Sequence, residues 1–243
     1  MTRPTQAARP YCALLVLGMV SLAALARDND SRTEFSAEIG IGAEYDSNVS
    51  IDELDVSASQ SDYALLLDAE LQLEQQLTES SDLTLTYDFS QSLYEEFDRL
   101  DRQTHLLGAD LNVDLGPVSS GLSLYYINAR LDGEDFLTYQ RASPYVSGFL
   151  ARKWFGRGAY VYSDKTIDQR TDRDAESHAG EMDLYYFRRG LRSYFNLGYK
   201  FKDEDAVADR FDYQSHNFKV RYVHRLDLWR EVLKLEFSVR YED

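Results

Sequence analysis

Four histidines are the side chains of this 243-residue chain that most directly suggest metal binding or acid–base chemistry. None of them has the close spacing that brings metal ligands onto one helix face, and they stand at His105, His178, His216 and His224. A hydrolase would pair a serine with a histidine, but the chain lacks the G-x-S-x-G sequence that surrounds such a nucleophile; the strand serines are Ser90, Ser123 and Ser215. The sequence therefore predicts no catalytic residue, no metal site, no cofactor and no enzymatic activity.

Acidic side chains form the second group with binding chemistry, since 42 Asp and Glu residues against 26 Lys and Arg give a net charge of −16. Eight of them alternate with apolar residues: Glu38, Glu44, Asp68, Glu70, Glu74, Asp88, Asp110 and Asp114. Another group lies in predicted loops: Asp52, Glu53, Asp55, Asp203, Glu204 and Asp205. This acidic balance argues against a nucleic-acid partner, which needs a basic face. No loop has the spaced ligands of a calcium site, so we interpret the acidic loops as a solvated surface.

Apolar and polar residues alternate along most of the chain, and this period of two is typical of β-strands. We predict eleven strands, near residues 35–45, 62–77, 83–89, 103–115, 119–130, 143–152, 157–165, 177–188, 192–202, 212–226 and 232–242. No internal helix of useful length is indicated. The sequence therefore predicts an all-β fold with antiparallel strands.

The predicted strands are long, and their connections alternate in length. Short connections fall near 78–82, 116–118, 152–156, 188–191 and 227–231, and longer ones at 46–62, 95–101, 131–143, 164–176 and 202–212. Together with aromatic residues near the strand ends, this pattern is typical of a transmembrane β-barrel, because closed sheets satisfy their backbone groups in hydrocarbon. In such a barrel the eight alternating acids would face the lumen, either along a conducting path or in a hydrogen-bonded network that fills it. The long acidic loops would face outward.

Residues 1–26 have the pattern of a secretory signal peptide, with Arg3 and Arg9 before an apolar run that ends at Ala24-Leu25-Ala26. The apolar run is shorter than the roughly 20 residues that a membrane-spanning helix needs. We therefore predict an exported protein, with the barrel in residues 27–243. A barrel reached through export is expected in the outer membrane of a Gram-negative bacterium.

Five short stretches are similar to a known family: 44–49 (EYDSNV), 143–145 (SPY), 162–165 (YSDK), 196–206 (NLGYKFKDEDA) and 211–213 (FDY). They resemble the carboxy-terminal barrels of the surface lipoprotein assembly modifier family and related tetratricopeptide-linked outer-membrane barrels, from about residue 35 to the end. The resemblance implies a passage or scaffold that helps deliver lipoproteins to the cell surface without covalent chemistry. Family members usually carry a helical-repeat domain before the barrel, whereas only residues 27–33 precede the first strand here.

Bacterial single-chain barrels have an even number of strands, so eleven strands predict a barrel of twelve or fourteen that is truncated at its carboxyl end. The expected partners are outer-membrane lipids and either a client lipoprotein or small solutes. Two alternatives remain open. One is a cation-favouring porin whose acidic lumen sets its selectivity. The other is a soluble periplasmic β-sandwich that acts as a binding module.

Overall fold

The computed structural model describes residues 20–27, 32–51, 54, 56–57, 60–228 and 231–242, most of which lie in strands. The strands are β1 (Val20–Arg27), β2 (Thr33–Asp46), β3 (Ser50–Ile51), β4 (Val56–Ser57), β5 (Asp62–Thr78), β6 (Ser81–Tyr94), β7 (Arg102–Asp114), β8 (Val118–Leu131), β9 (Glu134–Ala151), β10 (Trp154–Ile167), β11 (Ala175–Phe187), β12 (Ser193–Ala206), β13 (Tyr213–Leu228) and β14 (Glu231–Glu242). Three short 3₁₀ turns are Asp98–Leu100, Thr171–Arg173 and Asp209–Phe211. Over these ranges we find no helix with the length and hydrophobicity that a membrane crossing requires.

Twelve of the strands form a single antiparallel sheet in the order β1-β2-β5-β6-β7-β8-β9-β10-β11-β12-β13-β14, and β3 pairs with β4 in the connection between β2 and β5. This order is a meander, since the strands of the large sheet pair in chain order, with the β3–β4 hairpin inserted between β2 and β5. The all-β antiparallel prediction is confirmed, and the eleven predicted strands correspond to β2 and β5–β14. The twelve long described strands make one sheet rather than the two stacked sheets of a sandwich. No pairing among them joins β1 to β14, so both strands are edges.

The first strand, β1, pairs with β2 from Val20↔Ile41 to Arg27↔Glu34. It includes the end of the segment that we predict to be a signal peptide. If that segment is cleaved after Ala26, β1 belongs to the precursor and the mature sheet keeps eleven strands. The signal peptide and the boundary between residues 26 and 27 stay predictions.

The predicted long connection at 131–143 is wrong. Strand β8 continues to Leu131 and β9 begins at Glu134, so that only Asp132 and Gly133 lie between them. Both residues have positive φ angles, 51° and 78°. Asp-Gly is the residue pair that favours a two-residue hairpin turn of this kind, because both positions need left-handed backbone conformations.

The predicted loop at 202–212 begins too early, since β12 extends to Ala206. Asp203, Glu204 and Asp205 are therefore strand residues: all three pair with β11, and Asp203 and Glu204 also pair with β13. The run of charges resembled a solvated loop. It fits a strand because Glu204 alone turns to the face where Lys165 and Lys202 bind its carboxylate, while Asp203 and Asp205 are exposed on the other face.

The two faces of the sheet differ in exposure, which shows that the sheet is curved. On one face Val161, Ala179, Asn196 and Val223 are at most 5% exposed, although no second sheet covers them in the described chain. Side chains on a concave face converge and bury one another. We call this the concave face. In β2, β5–β7, β12 and β14 its residues have even numbers. In β8, β11 and β13, and in residues 137–147 of β9 and 155–167 of β10, its residues have odd numbers.

The opposite, convex face exposes large apolar side chains: 63% of Ile39, 60% of Met182 and 64% of Phe237. The strands are also staggered. A row of directly opposite residues begins at Phe35, near the start of β2, and reaches Gln214, near the start of β13, which is the other end of the sheet. Such a progressive shift accompanies the strand tilt of barrel-like sheets. We call the two ends the turn end, with the short turns after β5, β7, β9, β11 and β13, and the loop end.

Candidate functional site: the concave face and the loop end

All eight alternating acids lie on the concave face, and they come from four adjacent strands. Glu38 and Glu44 are on β2, and Asp68, Glu70 and Glu74 are on β5. Asp88 is on β6, and Asp110 and Asp114 are on β7. The pleat therefore places them as the sequence predicts, but lining a lumen also requires a closed sheet and stays a prediction. Asp52, Glu53 and Asp55 lie outside the described residues.

The acids of β2, β5 and β6 stand directly opposite one another. Glu38 is opposite Glu70, which is opposite Asp88 in the next strand. Like charges in opposite positions destabilise a sheet. In the described part of the chain none of the three forms a salt bridge, and Asp88 Oδ1 is buried without a hydrogen-bond partner. We call β2 and β5–β7 the acidic sector of the concave face; its one base is Arg102.

The other half of the concave face is basic, and the sequence analysis missed it. Strands β9–β14 form this basic sector, whose cationic side chains are Arg141, Arg157, Lys165, Lys200, Lys202, Lys219, Arg221, Arg225, Lys234 and Arg240. The signal was available, because these residues alternate with apolar ones just as the acids do. The predicted acidic lumen was built from β2–β7 alone.

Each of three acids in the basic sector is bound between two bases. Glu181 accepts from Lys200 Nζ at 3.1 Å and lies 3.6 Å from Arg141 Nη2. Glu204 is buried between Lys165 Nζ, 2.9 Å away, and Lys202. The third group joins Glu236 to Lys234 at 2.8 Å and to Arg221 at 3.5 Å. Each group has one more base than acid, so the sector keeps a positive excess after its acids are paired.

A network of side chains connects the two sectors across β8. Asp110 on β7 accepts hydrogen bonds from Ser123 and, at 3.1 Å, from the hydroxyl of Tyr145. The guanidinium of Arg157 lies 4.6 Å above the Tyr145 ring. Gly121 makes this possible, because a Cβ at that position would fall on the Tyr145 ring and on the Leu111 carbonyl oxygen. The tyrosine thus links an acid of one sector to a base of the other.

The β3–β4 hairpin packs over the loop end of the concave face. Ile51 and Leu54 of the hairpin and Val49 just before it are buried, and they form one hydrophobic cluster with side chains of other connections and strand ends, namely Leu100, Ala129, Leu131, Phe136 and Ile167. The Leu54 carbonyl also accepts a hydrogen bond from Arg170 Nη1 at 3.4 Å. A connection between β2 and β5 thus reaches the connection between β10 and β11, across the ends of strands β5–β10.

Three loop-end hairpins share one clasp, in which an aspartate just before the returning strand binds the end of the outgoing strand. Asp101, Asp174 and Asp212 each accept a hydrogen bond from the backbone N–H of the last residue of the preceding strand. These donors are Tyr94, Ile167 and Ala206, at 2.8, 2.7 and 2.8 Å. Because the aspartate replaces a missing ladder bond, it fixes where each hairpin reverses.

The surroundings of two loop-end carboxylates shift their pKa values in opposite directions. Burial raises the pKa of Asp101, even though the Tyr94 N–H bond favours the charged form. The pKa of Asp172 is lowered, first by the hydrogen bond from Arg170 Nε at 3.1 Å and then by the one from Arg210 Nη2 at 2.5 Å. Asp172 is therefore a stable anion that holds two arginines of neighbouring connections.

All four histidines lie on the convex face, and three belong to a repeated unit that the sequence analysis missed. In each unit a Tyr-x-aromatic sequence on one strand is followed by Asp-x-x-Ser/Thr-His entering the next. The histidine Nδ1 is hydrogen-bonded to the first tyrosine: Tyr87 to His105 at 2.8 Å, Tyr160 to His178 at 2.5 Å and Tyr199 to His216 at 2.9 Å. The histidine ring also packs on the second aromatic residue, Phe89, Tyr162 or Phe201. The repeat was visible as the recurring Asp-to-His spacing.

These units form an aromatic belt on the loop-end side of the convex face, to which Tyr45 and Tyr63 add a ring pair 5.0 Å apart. A second belt lies near the turn end, where Trp154 packs on Tyr186 and Phe195 on Tyr222. Tyr125, which the sequence grouped with the strand-end aromatics, instead lies on the concave face over Gly108.

The structure does not bring the candidate chemical groups together. Ser90, Ser123 and Ser215 are on the concave face and the histidines on the convex face, so the backbone separates them. Across the described residues no three His, Cys, Asp or Glu side chains are grouped as metal ligands. The arrangement can bind and orient charged groups on its concave face and apolar matter on its convex face. No protein-family model matches the chain, and no curated protein matches it.

Proposed function

We propose that the protein is an outer-membrane β-barrel that acts as a passage or scaffold without covalent chemistry. The observation that carries this proposal is the composition of the convex face, which exposes Ile39, Leu107, Met182 and many similar side chains to its surroundings. Exposed apolar areas of this extent are not typical of soluble monomers and mark contact with a membrane or another protein. Backbone N–H and C=O groups without hydrogen-bond partners are costly in the hydrocarbon of a bilayer. The proposal therefore includes closure of the sheet in the membrane.

The distribution of charge on the convex face supports a lipid partner. Within the described strands β2 and β5–β13, its Asp, Glu, Lys and Arg residues are confined to the loop-end side: Arg130, Asp135, Asp164, Glu176, Asp203 and Asp205. On β10 the stretch from Trp154 in one belt to Tyr162 in the other has nine residues when both are counted, close to the roughly 9–11 that a tilted strand uses to cross a bilayer. Aromatic belts around an uncharged band are typical of membrane barrels.

The cargo of the passage has two candidates. The resemblance to surface lipoprotein assembly modifiers supports a client lipoprotein. The charged concave face favours small polar solutes, since ionic walls stabilise charged matter in a pore. Channel recording in planar bilayers separates the two: steady open currents support the solute passage, and their absence supports a barrel that a client must open.

Cysteine labelling tests the membrane assignment directly, because Cys12 is the only cysteine of the chain. All variants are made in a Cys12→Ser background. Ile39→Cys and Met182→Cys place a thiol on the convex face. Glu38→Cys and Asp183→Cys, at the neighbouring positions in the chain, place a thiol on the concave face. In lipid vesicles we expect a charged maleimide to modify the two concave thiols and to spare the two convex ones until the protein is unfolded. Equal labelling of both pairs, with recovery in the soluble periplasm, would contradict the proposal.

A further inference from the structure

The concave face is electrically polar from side to side. At mid-strand the acidic sector presents Glu38, Glu70 and Asp88, and the basic sector presents Arg141, Lys200 and Arg221. The two sets face a common interior, because the sheet curves toward this face and one hairpin tip, at Leu54, reaches from the acidic sector to the Arg170 guanidinium. A molecule in this interior lies between walls of opposite charge.

Neither wall is neutralised by its own neighbours. The three acids stand opposite one another without a salt bridge in the described chain, an arrangement that costs stability unless a positive group lies near. On the basic side, each paired acid leaves one base in excess. Buried polar atoms without partners occur on both sides, at Asp88 Oδ1 and at the Nε atoms of Arg141 and Arg221. The unmet interactions are thus cation binding on one wall and anion binding on the other.

We propose that the concave face takes zwitterionic solutes, small molecules that carry an ammonium group and a carboxylate or phosphate group together. The ammonium group lies against Glu38 and Glu70, and the anionic group lies against Lys200 and Arg221. A simple cation is attracted by one wall and repelled by the other, whereas a zwitterion is aligned by both. This inference rests on the proposed function as a passage, and it replaces the cation preference that an acidic lumen predicts.

Liposome swelling with the purified full chain tests the inference. The probes are glycine betaine, a zwitterion, and erythritol, a neutral solute of similar mass. We expect betaine to enter about 10-fold faster than erythritol, the low end of the enhancement that charged clefts give to encounter rates. Equal entry of the two solutes would overturn this inference and leave the passage standing. The Glu38→Cys variant, whose thiol reacts with maleimide in liposomes, shows that the protein is inserted. If neither solute enters such liposomes, both the inference and the proposed passage are overturned.

Paired charge removals sharpen the test. Glu38→Gln with Glu70→Gln should abolish the preference for betaine and make a potassium chloride current anion-selective. Lys200→Gln with Arg221→Gln should also abolish the preference but make the current cation-selective. Arg152→Gln with Lys153→Gln removes as many charges from the β9–β10 turn and should change neither property. A shift of both concave variants in the same direction would contradict the two-wall arrangement.

Discussion

The acidic and basic sectors of the concave face share one backbone architecture but are stabilised differently. In the basic sector Glu181, Glu204 and Glu236 each bind two bases. In the acidic sector Glu38 and Glu70 face each other with no base between them. Side-chain ion pairs therefore support one sector, while the other depends on its backbone ladder. We therefore expect a change from glutamate to glutamine to lower the free energy of unfolding in the basic sector and to raise it in the acidic sector.

The largest expected effect tests whether the two sectors face an interior at all. Leu107→Arg puts a charge on the convex face and should destabilise the protein in a bilayer by about 2–4 kcal/mol. Leu106→Arg, at the adjacent concave position opposite Asp88, should cost much less because the carboxylate can pair with it. Urea unfolding in lipid vesicles measures both values. Equal costs would show that neither face meets lipid.

The next largest effect concerns the basic sector. Glu204→Gln removes a buried carboxylate that binds Lys165 and Lys202, and hydrogen bonds to charged groups contribute about 1.5–3 kcal/mol. We expect a loss of that order in the free energy of unfolding. The matched control is Asp203→Asn, an exposed neighbour on the convex side that should change stability by less than about 0.5 kcal/mol. A neutral Glu204→Gln would contradict the stabilising role of the group.

The acidic sector should respond in the other direction. Glu70→Gln removes a negative charge that stands between Glu38 and Asp88, and like-charge pairs in opposite positions cost about 0.2–1 kcal/mol. We therefore expect a gain of this size in the free energy of unfolding. Glu79→Gln, in the β5–β6 turn, serves as the control and should be neutral. Destabilisation by Glu70→Gln would reveal a favourable contact that the comparison leaves out.

The smallest effect compares two loop-end carboxylates by pH. The pKa of Asp172 is lowered in the folded protein, so its stabilisation is complete above the ordinary value of about 3.9 and is lost as the pH falls through the lower folded value. The pKa of Asp101 is raised, so its contribution is present below the ordinary value and is lost as the pH rises through the folded one.

Hydrogen exchange of residues 168–174 between pH 5 and pH 2 measures the first of these contributions. Protection should fall with pH in the native protein and should be flatter in Asp172→Asn. Asp101→Asn should leave the protection of residues 168–174 unchanged. It should instead alter how the protection of residues 95–101 changes as the pH rises. If Asp172→Asn and the native protein show the same pH dependence of protection, the hydrogen bonds from the two arginines do not cause that dependence.

Periodicity predicted the strands well because a pleated strand has a period of two whatever its partners are. Eleven predicted strands and the common face of the eight acids follow from that period alone. The Asp132-Gly133 pair was also visible in the sequence, but a register shift between Ala129 and Arg130 interrupts the alternation beside it. At 203–205 the charges resembled a loop. Glu204 is bound by Lys202 of the same strand and by Lys165 of β10, and the second of these partners cannot be found from the local sequence.

The two sectors could not be derived from the sequence in the same way. Strand parity assigns each side chain to a face, but a register is needed to tell that Glu38, Glu70 and Asp88 form one row. The hairpin of β3 and β4 was unexpected because its apolar residues are few and its buried partners come from distant connections. Curvature, which makes one face an interior, is a property of the whole sheet and leaves no local sign.

The strictly sequential order of the sheet has a consequence for assembly. Since the twelve strands of the large sheet pair in chain order, with only the β3–β4 hairpin inserted between β2 and β5, each step closes a short connection and costs little chain entropy. The aspartate clasps at Asp101, Asp174 and Asp212 lock three hairpins one at a time. The sheet can therefore be assembled one hairpin after another, with unpaired backbone groups confined at each step to its two edge strands.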